Sequence, residues 1–151
     1  MSTLKVDTYL TRGGASEIAI DKLKGVTAAG SMLVQGEGSA TTNLQQGLAK
    51  AWFHVDTDGA SISDSFNISS HDDDGTGDGG IHITNDMGSA NYSVLLSCDD
   101  AGSTSKIVSL ELTRGTQAAG NFDYEGAVVN SSTNRTNVDS MRFGSINGDL
   151  A

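Results

Sequence analysis

The feature that most constrains this chain is how short its regular stretches are. From Lys50 onward seven runs of five to nine residues follow one another: Ala51–Asp56, Ser61–Ser69, Gly80–Thr84, Asn91–Cys98, Ser105–Thr113, Phe122–Asn130 and Val138–Ile146. Between them stand Asp56-Thr57-Asp58-Gly59, His71 to Gly80, Asp99-Asp100-Ala101-Gly102, Gly115 to Gly120 and Ser131 to Asn134. These connections are rich in Gly, Asn, Asp and Ser, which adopt turn conformations at little steric cost. An alternation of period two turns every second side chain toward one face. In Asn91–Cys98 the residues Tyr92, Val94 and Leu96 share a face; in Ser105–Thr113 Val108, Leu110 and Leu112 oppose Ile107, Ser109 and Glu111. The spacing predicts an all-β domain, an antiparallel β-sandwich of about seven short strands, jelly-roll-like, over residues 50–151. Trp52, Phe66, Ile83, Leu110 and Phe143 are the expected core.

That core has to be lean. Hydrophobic residues make up 36% of the chain and aromatics 5%, while Gly, Ser, Thr and Asn together number 61 of 151. Gly loses the most conformational freedom on folding, so self-association is expected to supply stability that the core does not. Proline is absent, and contacts between subunits are expected to stiffen the loops instead.

Residues 1–49 read as an extended arm. Its opening alternates as Thr3-Leu4-Lys5-Val6-Asp7-Thr8-Tyr9, a short strand in pattern, and Thr11-Arg12-Gly13-Gly14 ends it. A second weak strand is expected over Glu17–Leu23, and one or two helical turns within Asn43–Lys50, weakened by Gly47. Leu4, Val6 and Tyr9 are the residues expected to anchor such an arm to a neighbouring subunit; the plainer reading is a leader with no structure of its own.

Charge is concentrated in the middle third. Residues 1–50 carry five basic and four acidic groups, residues 51–100 carry ten Asp and no Lys, Arg or Glu, and the whole chain stands at −10. Such a field repels phosphate backbones, so nucleic acid is not an expected partner. No apolar signal-like segment follows Met1 and no run of 18 apolar residues occurs, so a membrane is not expected either and cytoplasmic synthesis is. Cys98 is the only cysteine and has no internal disulfide partner. The Asn-x-Ser/Thr sites at Asn67, Asn91, Asn130 and Asn134 read as chance matches in a chain this rich in those residues.

The segment His71-Asp72-Asp73-Asp74-Gly75-Thr76-Gly77-Asp78-Gly79-Gly80 is the one candidate for metal chemistry. Asp72, Asp74, Thr76 and Asp78 alternate as the oxygen ligands of a Ca²⁺ loop do, but the closing acidic residue is missing, since Ile83 stands at that position. The expected reading is a solvated hairpin loop without cofactor, with Ca²⁺ as the alternative. His54, His71 and His82 have no zinc-motif spacing. His54 and His82 fall in strands, where a cross-strand hydrogen bond is open to them. Cys98 follows Val94-Leu95-Leu96 and reads as a small buried or half-buried side chain rather than a nucleophile. There is no Gly-x-Ser-x-Gly elbow and no phosphate loop, so an enzyme is not expected.

Several strings together resemble one family. Lys50-Ala51-Trp52-Phe53-His54-Val55, Asp64-Ser65-Phe66-Asn67-Ile68-Ser69-Ser70, Asp73-Asp74-Gly75-Thr76-Gly77-Asp78 and Met87 with Ala90-Asn91-Tyr92 follow in order. They resemble small structural proteins and fibre-end modules of tailed bacteriophages, whose members read KAWVNF, SFNVSS, DNGTGDY and AM-x-x-ANY. The likeness covers residues 50–92, and weakly residues 1–9. Gly79 stands where that family has Tyr, and the Asp56–Ser61 turn is about one residue shorter. The resemblance implies a virion component with no shared active site. Because the chain is short, lacks a repeating shaft and opens on a near-neutral arm, the leading expectation is a non-enzymatic capsid decoration or head appendage at the particle surface, homotrimeric, contacting the major capsid protein or other virion proteins. Its alternative is a tail-fibre or tail-tip module meeting a host-surface glycan. A secreted carbohydrate-binding module is a more remote reading.

Overall fold

The computed structural model describes residues 32–35, 39, 41–56, 58–99, 107–113, 115–129 and 135–151. The arm positions Leu4, Val6 and Tyr9, and the strands expected over 2–10 and 17–23, lie outside them. The described arm holds a small hairpin, β1 (Leu33–Gln35) with β2 (Thr41–Asn43), and then one helical turn, α1 (Leu44–Gly47). That turn falls inside the expected Asn43–Lys50.

The body is all-β and antiparallel, and its two sheets pack as a sandwich. One sheet has the order β4 (Ile62–Phe66), β3 (Ala51–Val55), β11 (Arg142–Asn147), β7 (Ser93–Cys98). The other runs β5 (Ile68–Gly75), β6 (Asp78–Ile83), β9 (Asn121–Val129), then β8 (Ile107–Leu112). The short β10 (Arg135–Asn137) pairs with β9 at Ala127–Val129, on the same edge that β6 uses at Asn121–Glu125. Among the described residues the body thus holds nine strands where seven were expected. The Ser61–Ser69 run splits at Asn67, which takes a left-handed φ of 58°. Asn tolerates that conformation, and here it carries the chain from one sheet into the other. Its Oδ1 accepts from the Asn85 amide at 2.9 Å and its Nδ2 donates to the Lys50 carbonyl at 3.0 Å. The expected Val138–Ile146 strand begins only at Arg142, and the alternation of Arg135–Asn137 was too brief to signal β10.

Phe53 sits at the centre of the core, with Phe122 and Tyr124 of the opposite sheet each at 6.2 Å between ring centroids. Ala51, Val55 and Ile146 lie on its side, and Ile81 and Ile83 face them. Tyr92, which shares a face with Val94 and Leu96, is buried and hydrogen-bonds the carbonyls of Ala118 and Asn121 at 2.9 and 3.0 Å. Ile83 is in the core as expected, and Leu110 packs against it half-buried. Trp52, Phe66 and Phe143 are corrections to that expectation: all three face outward. β3 buries Ala51, Phe53 and Val55, so Trp52 falls on the other parity. Phe66 stands opposite Trp52 and Phe143 opposite His54, which places them on the same outer side. The inward positions of β11 are Arg142, Gly144 and Ile146. Side-chain size favoured the wrong face, because a small Ala and a Gly make room for one large ring.

Candidate functional site

The Asp-rich segment is strand and not loop, a second correction. β5 runs through Gly75, the turn is only Thr76-Gly77, and Asp78 opens β6 opposite Gly75. Gly77 has a φ of 80°, and an added Cβ would meet the backbone of Val138 and the side chain of Asn137. The four proposed oxygen ligands do not converge. Asp72 accepts from or pairs with His82 Nε2 at 2.6 Å, the cross-strand contact that the alternation left open for this histidine. Asp78 accepts from Asn137 at 3.4 Å, and with Asp74 it borders a shallow acidic hollow that includes Asp123 and Glu125. Glu125 is paired with Arg135 at 3.1 Å. Among the described residues no three His, Cys, Asp or Glu groups stand together as a metal site.

A polar chain crosses between the sheets at one end of the core. Arg142 is fully buried; its Nη1 donates to the Tyr124 hydroxyl at 3.1 Å and its Nη2 to Asp139 Oδ1 at 3.2 Å. The guanidinium also lies 5.1 Å from the Tyr124 ring centroid, a favourable cation–π distance. Asp139 accepts the Gly77 amide at 2.8 Å as well, and the Tyr124 hydroxyl reaches His71 Nε2 at 2.7 Å. Gly59, with a φ of 71°, covers the guanidinium, where a Cβ would stand 2.7 Å from Nη1. Burial, then the nearby Arg142 charge, holds the His71 imidazole below its ordinary pKa. Burial raises Tyr124 too. This constellation ties the β3–β4 and β5–β6 turns to β9 and β11, and its Tyr124 also borders the acidic hollow of Asp74, Asp78, Asp123 and Glu125. Nothing in the sequence marked Arg142, because an arginine is not a core residue by composition.

Cys98 is half-buried, and burial followed by the Asp99 charge pushes its thiol up. That is the opposite of what a thiolate nucleophile needs. His54 stacks on Phe143, with centroids 4.6 Å apart.

The outer face of the β4-β3-β11-β7 sheet is the candidate site. Cross-strand pairing lines up Phe66, Trp52, Ser145 and Leu95 in one row and Asp64, His54, Phe143 and Ser97 in the next. Phe66 is 54%, Trp52 39%, Leu95 62% and Phe143 38% exposed. Asp64 is the only Asp, Glu, Lys or Arg in those two rows, and His54 stands opposite it. An uncovered apolar face of this kind marks an interaction surface in most folded proteins. At the Phe66 end it continues into a groove of about 490 Å³ bordered by Leu48, Phe66, Asn67, Asn85 and Leu150. Three of the aromatics expected in the core therefore form the surface instead. Leu95 joins them by the same alternation that placed Val94 and Leu96 inward.

Comparison with protein-family models, with curated proteins and with solved structures gave no match.

Proposed function

We propose that this chain is a non-enzymatic structural protein of a tailed-bacteriophage particle, a capsid decoration or head appendage that works through assembly. The observation that carries the reading is the apolar outer face of Trp52, Phe66, Leu95 and Phe143, exposed on one sheet. A solvent-facing sheet ordinarily alternates apolar-in with polar-out, and here the outward positions hold large apolar groups. Most of the strand-borne acidic residues (Asp72, Asp73, Asp74, Asp78, Asp123 and Glu125) lie on the opposite sheet. A particle-bound subunit would hold the apolar sheet against its neighbours and turn the acidic sheet to water. The order and spacing of the Lys50–Tyr92 motifs point the same way.

The test is mass spectrometry of purified particles of the virus that encodes the chain, with immunogold labelling to locate it. Stoichiometric presence on heads is the expected result, and absence from intact particles would refute the proposal. Labelling confined to tails would favour the second reading, a host-recognition module. That reading draws on the groove at Leu48–Leu150, where the Phe66 ring stands beside the amides of Asn67 and Asn85.

A further inference from the structure

The Tyr124 hydroxyl has a single proton to give, and its partners fix where that proton goes. Arg142 Nη1, 3.1 Å away, can only donate, so the hydroxyl oxygen accepts there. Among the described residues its other partner is His71 Nε2, at 2.7 Å. The hydroxyl therefore donates to Nε2, which makes His71 a neutral imidazole carrying its proton on Nδ1. The contact is built into the fold. A Cβ on Gly79 would stand 2.7 Å from Nε2 and 2.9 Å from the hydroxyl, so the bare glycine is what lets the two groups meet. The His71 and Tyr124 rings also stack, with centroids 6.0 Å apart.

One added proton contradicts this arrangement. With hydrogen on Nε2 as well, His71 becomes a donor, and the hydroxyl proton points at another donor. The oxygen can turn to accept from both His71 and Arg142, but its own proton then has no acceptor in place. Two cations would also share one buried hydroxyl. The ring is faced by Arg142 from β11, Asp72 and Asp73 from β5, the Ala60 backbone from the β3–β4 turn and Gly79 from β6. Asp72 and Asp73 are exposed, and Asp72 is engaged with His82, whereas Arg142 is fully buried. Exposed charges are screened far more than buried ones, so burial and the Arg142 charge outweigh the two carboxylates.

The consequence falls on two turns. Arg142 Nη1 also donates to the Gly59 carbonyl at 3.4 Å, and Nη2 holds Asp139, which accepts the Gly77 amide at 2.8 Å. Gly59 lies in the β3–β4 turn and Gly77 in the β5–β6 turn, both at positive φ. A guanidinium pushed off the hydroxyl loosens its hold on both.

We propose that His71 is an acid-sensitive latch: a proton taken up at Nε2 reverses its hydrogen bond with Tyr124, displaces Arg142 and frees the β3–β4 and β5–β6 turns while the two sheets stay packed.

Histidine ¹⁵N shifts and amide hydrogen exchange of the full chain, followed by NMR from about pH 7.5 to about pH 5, test it. At the upper end His71 is expected as the Nδ1–H tautomer, and an Nε2–H tautomer overturns the proposal. As His71 takes up its proton, protection of the Gly59 and Gly77 amides should fall several-fold, after correction for the intrinsic pH dependence of exchange. The amides of Phe53 and Ile146, in central strands, should keep theirs. Unchanged protection at Gly59 and Gly77 across that titration overturns the latch, and so does a His71 that stays neutral down to about pH 5. His71→Gln keeps an acceptor near the place of Nε2 but takes up no proton, so both turns should hold throughout. A loss equal to the parent's would assign the effect to another acid such as Asp139 and refute the proposal. Tyr124→Phe keeps the ring and removes the reversible bond. In that variant His71 should titrate without loosening Gly59 and Gly77 further, and continued coupling counts against the latch.

Discussion

Gly144→Ala should be strongly destabilising although it adds one methyl group to a β-strand, where Ala for Gly normally helps by roughly 0.5–1 kcal/mol. Gly144 stands directly opposite Phe53 in the β3–β11 pairing. A Cβ built there would overlap Cε1 and Cζ of the Phe53 ring and stand 2.9 Å from Cδ1. Carbon atoms in contact prefer about 3.5–4.0 Å, so the ring must move by more than about 1 Å. It has nowhere to go, since Phe122 and Tyr124 hold it at 6.2 Å on the far side. Overpacking a closed core costs about 1–3 kcal/mol, and losing the Phe53 ring altogether would cost about 3–5 kcal/mol. The expected loss is about 3 kcal/mol, or roughly 6–12 °C in Tm for a domain of this size. Urea and thermal unfolding of the parent, Gly144→Ala, Phe53→Leu and the double variant form a complete cycle. The smaller Leu should relieve the overlap, so the double variant should be more stable than the sum of the single effects implies, by at least about 1 kcal/mol. A Gly144→Ala protein within about 0.5 kcal/mol of the parent, or a strictly additive cycle, would show that the ring does not occupy this hollow.

Arg142→Ala should cost about 3–5 kcal/mol in urea unfolding, because it leaves the Tyr124 hydroxyl and Asp139 without their buried cationic partner. Tyr92→Phe should cost about 1 kcal/mol by the same assay, the worth of one hydrogen bond to the carbonyls of Ala118 and Asn121. The Tyr92 hydroxyl, pushed up to about 12 by burial, should ionise in a spectrophotometric titration with a later midpoint than the tyrosines of the unfolded chain, whose midpoint is about 10. His71 has its folded pKa below the unfolded value of about 6.5, so between the two the unfolded chain binds more protons. Stability from this group is therefore complete above about pH 6.5 and declines as pH falls through that window. His71→Gln should flatten the decline in pH-dependent thermal unfolding, and an unaltered slope would remove His71 as its source.

The fold class was open to reading in the sequence because alternation and turn chemistry are local. Tyr92-Ser93-Val94-Leu95-Leu96 sets Tyr92, Val94 and Leu96 on one face, and the structure turns that face toward the core, with Tyr92 buried and Val94 and Leu96 packed half-buried against it. Parity was harder where both faces carry apolar groups. Ala51-Trp52-Phe53-His54-Val55 alternates equally well on either reading, and the larger aromatic drew the choice to the wrong one. The Asp72–Asp78 segment misled for a related reason: Asp and Gly suit a loop, but here Asp72 gains a strand partner in His82 and Gly77 a close backbone approach.

What the residues alone determined is an antiparallel β domain with a lean core and an acidic middle, since each of these follows from composition or from period two. What only the tertiary structure decided is which face of each strand is inside. That choice depends on volumes contributed by distant positions. Gly144 leaves the hollow that Phe53 fills, Gly59 leaves the space that Arg142 fills, and with those places taken Trp52, Phe66 and Phe143 are turned outward to form the surface.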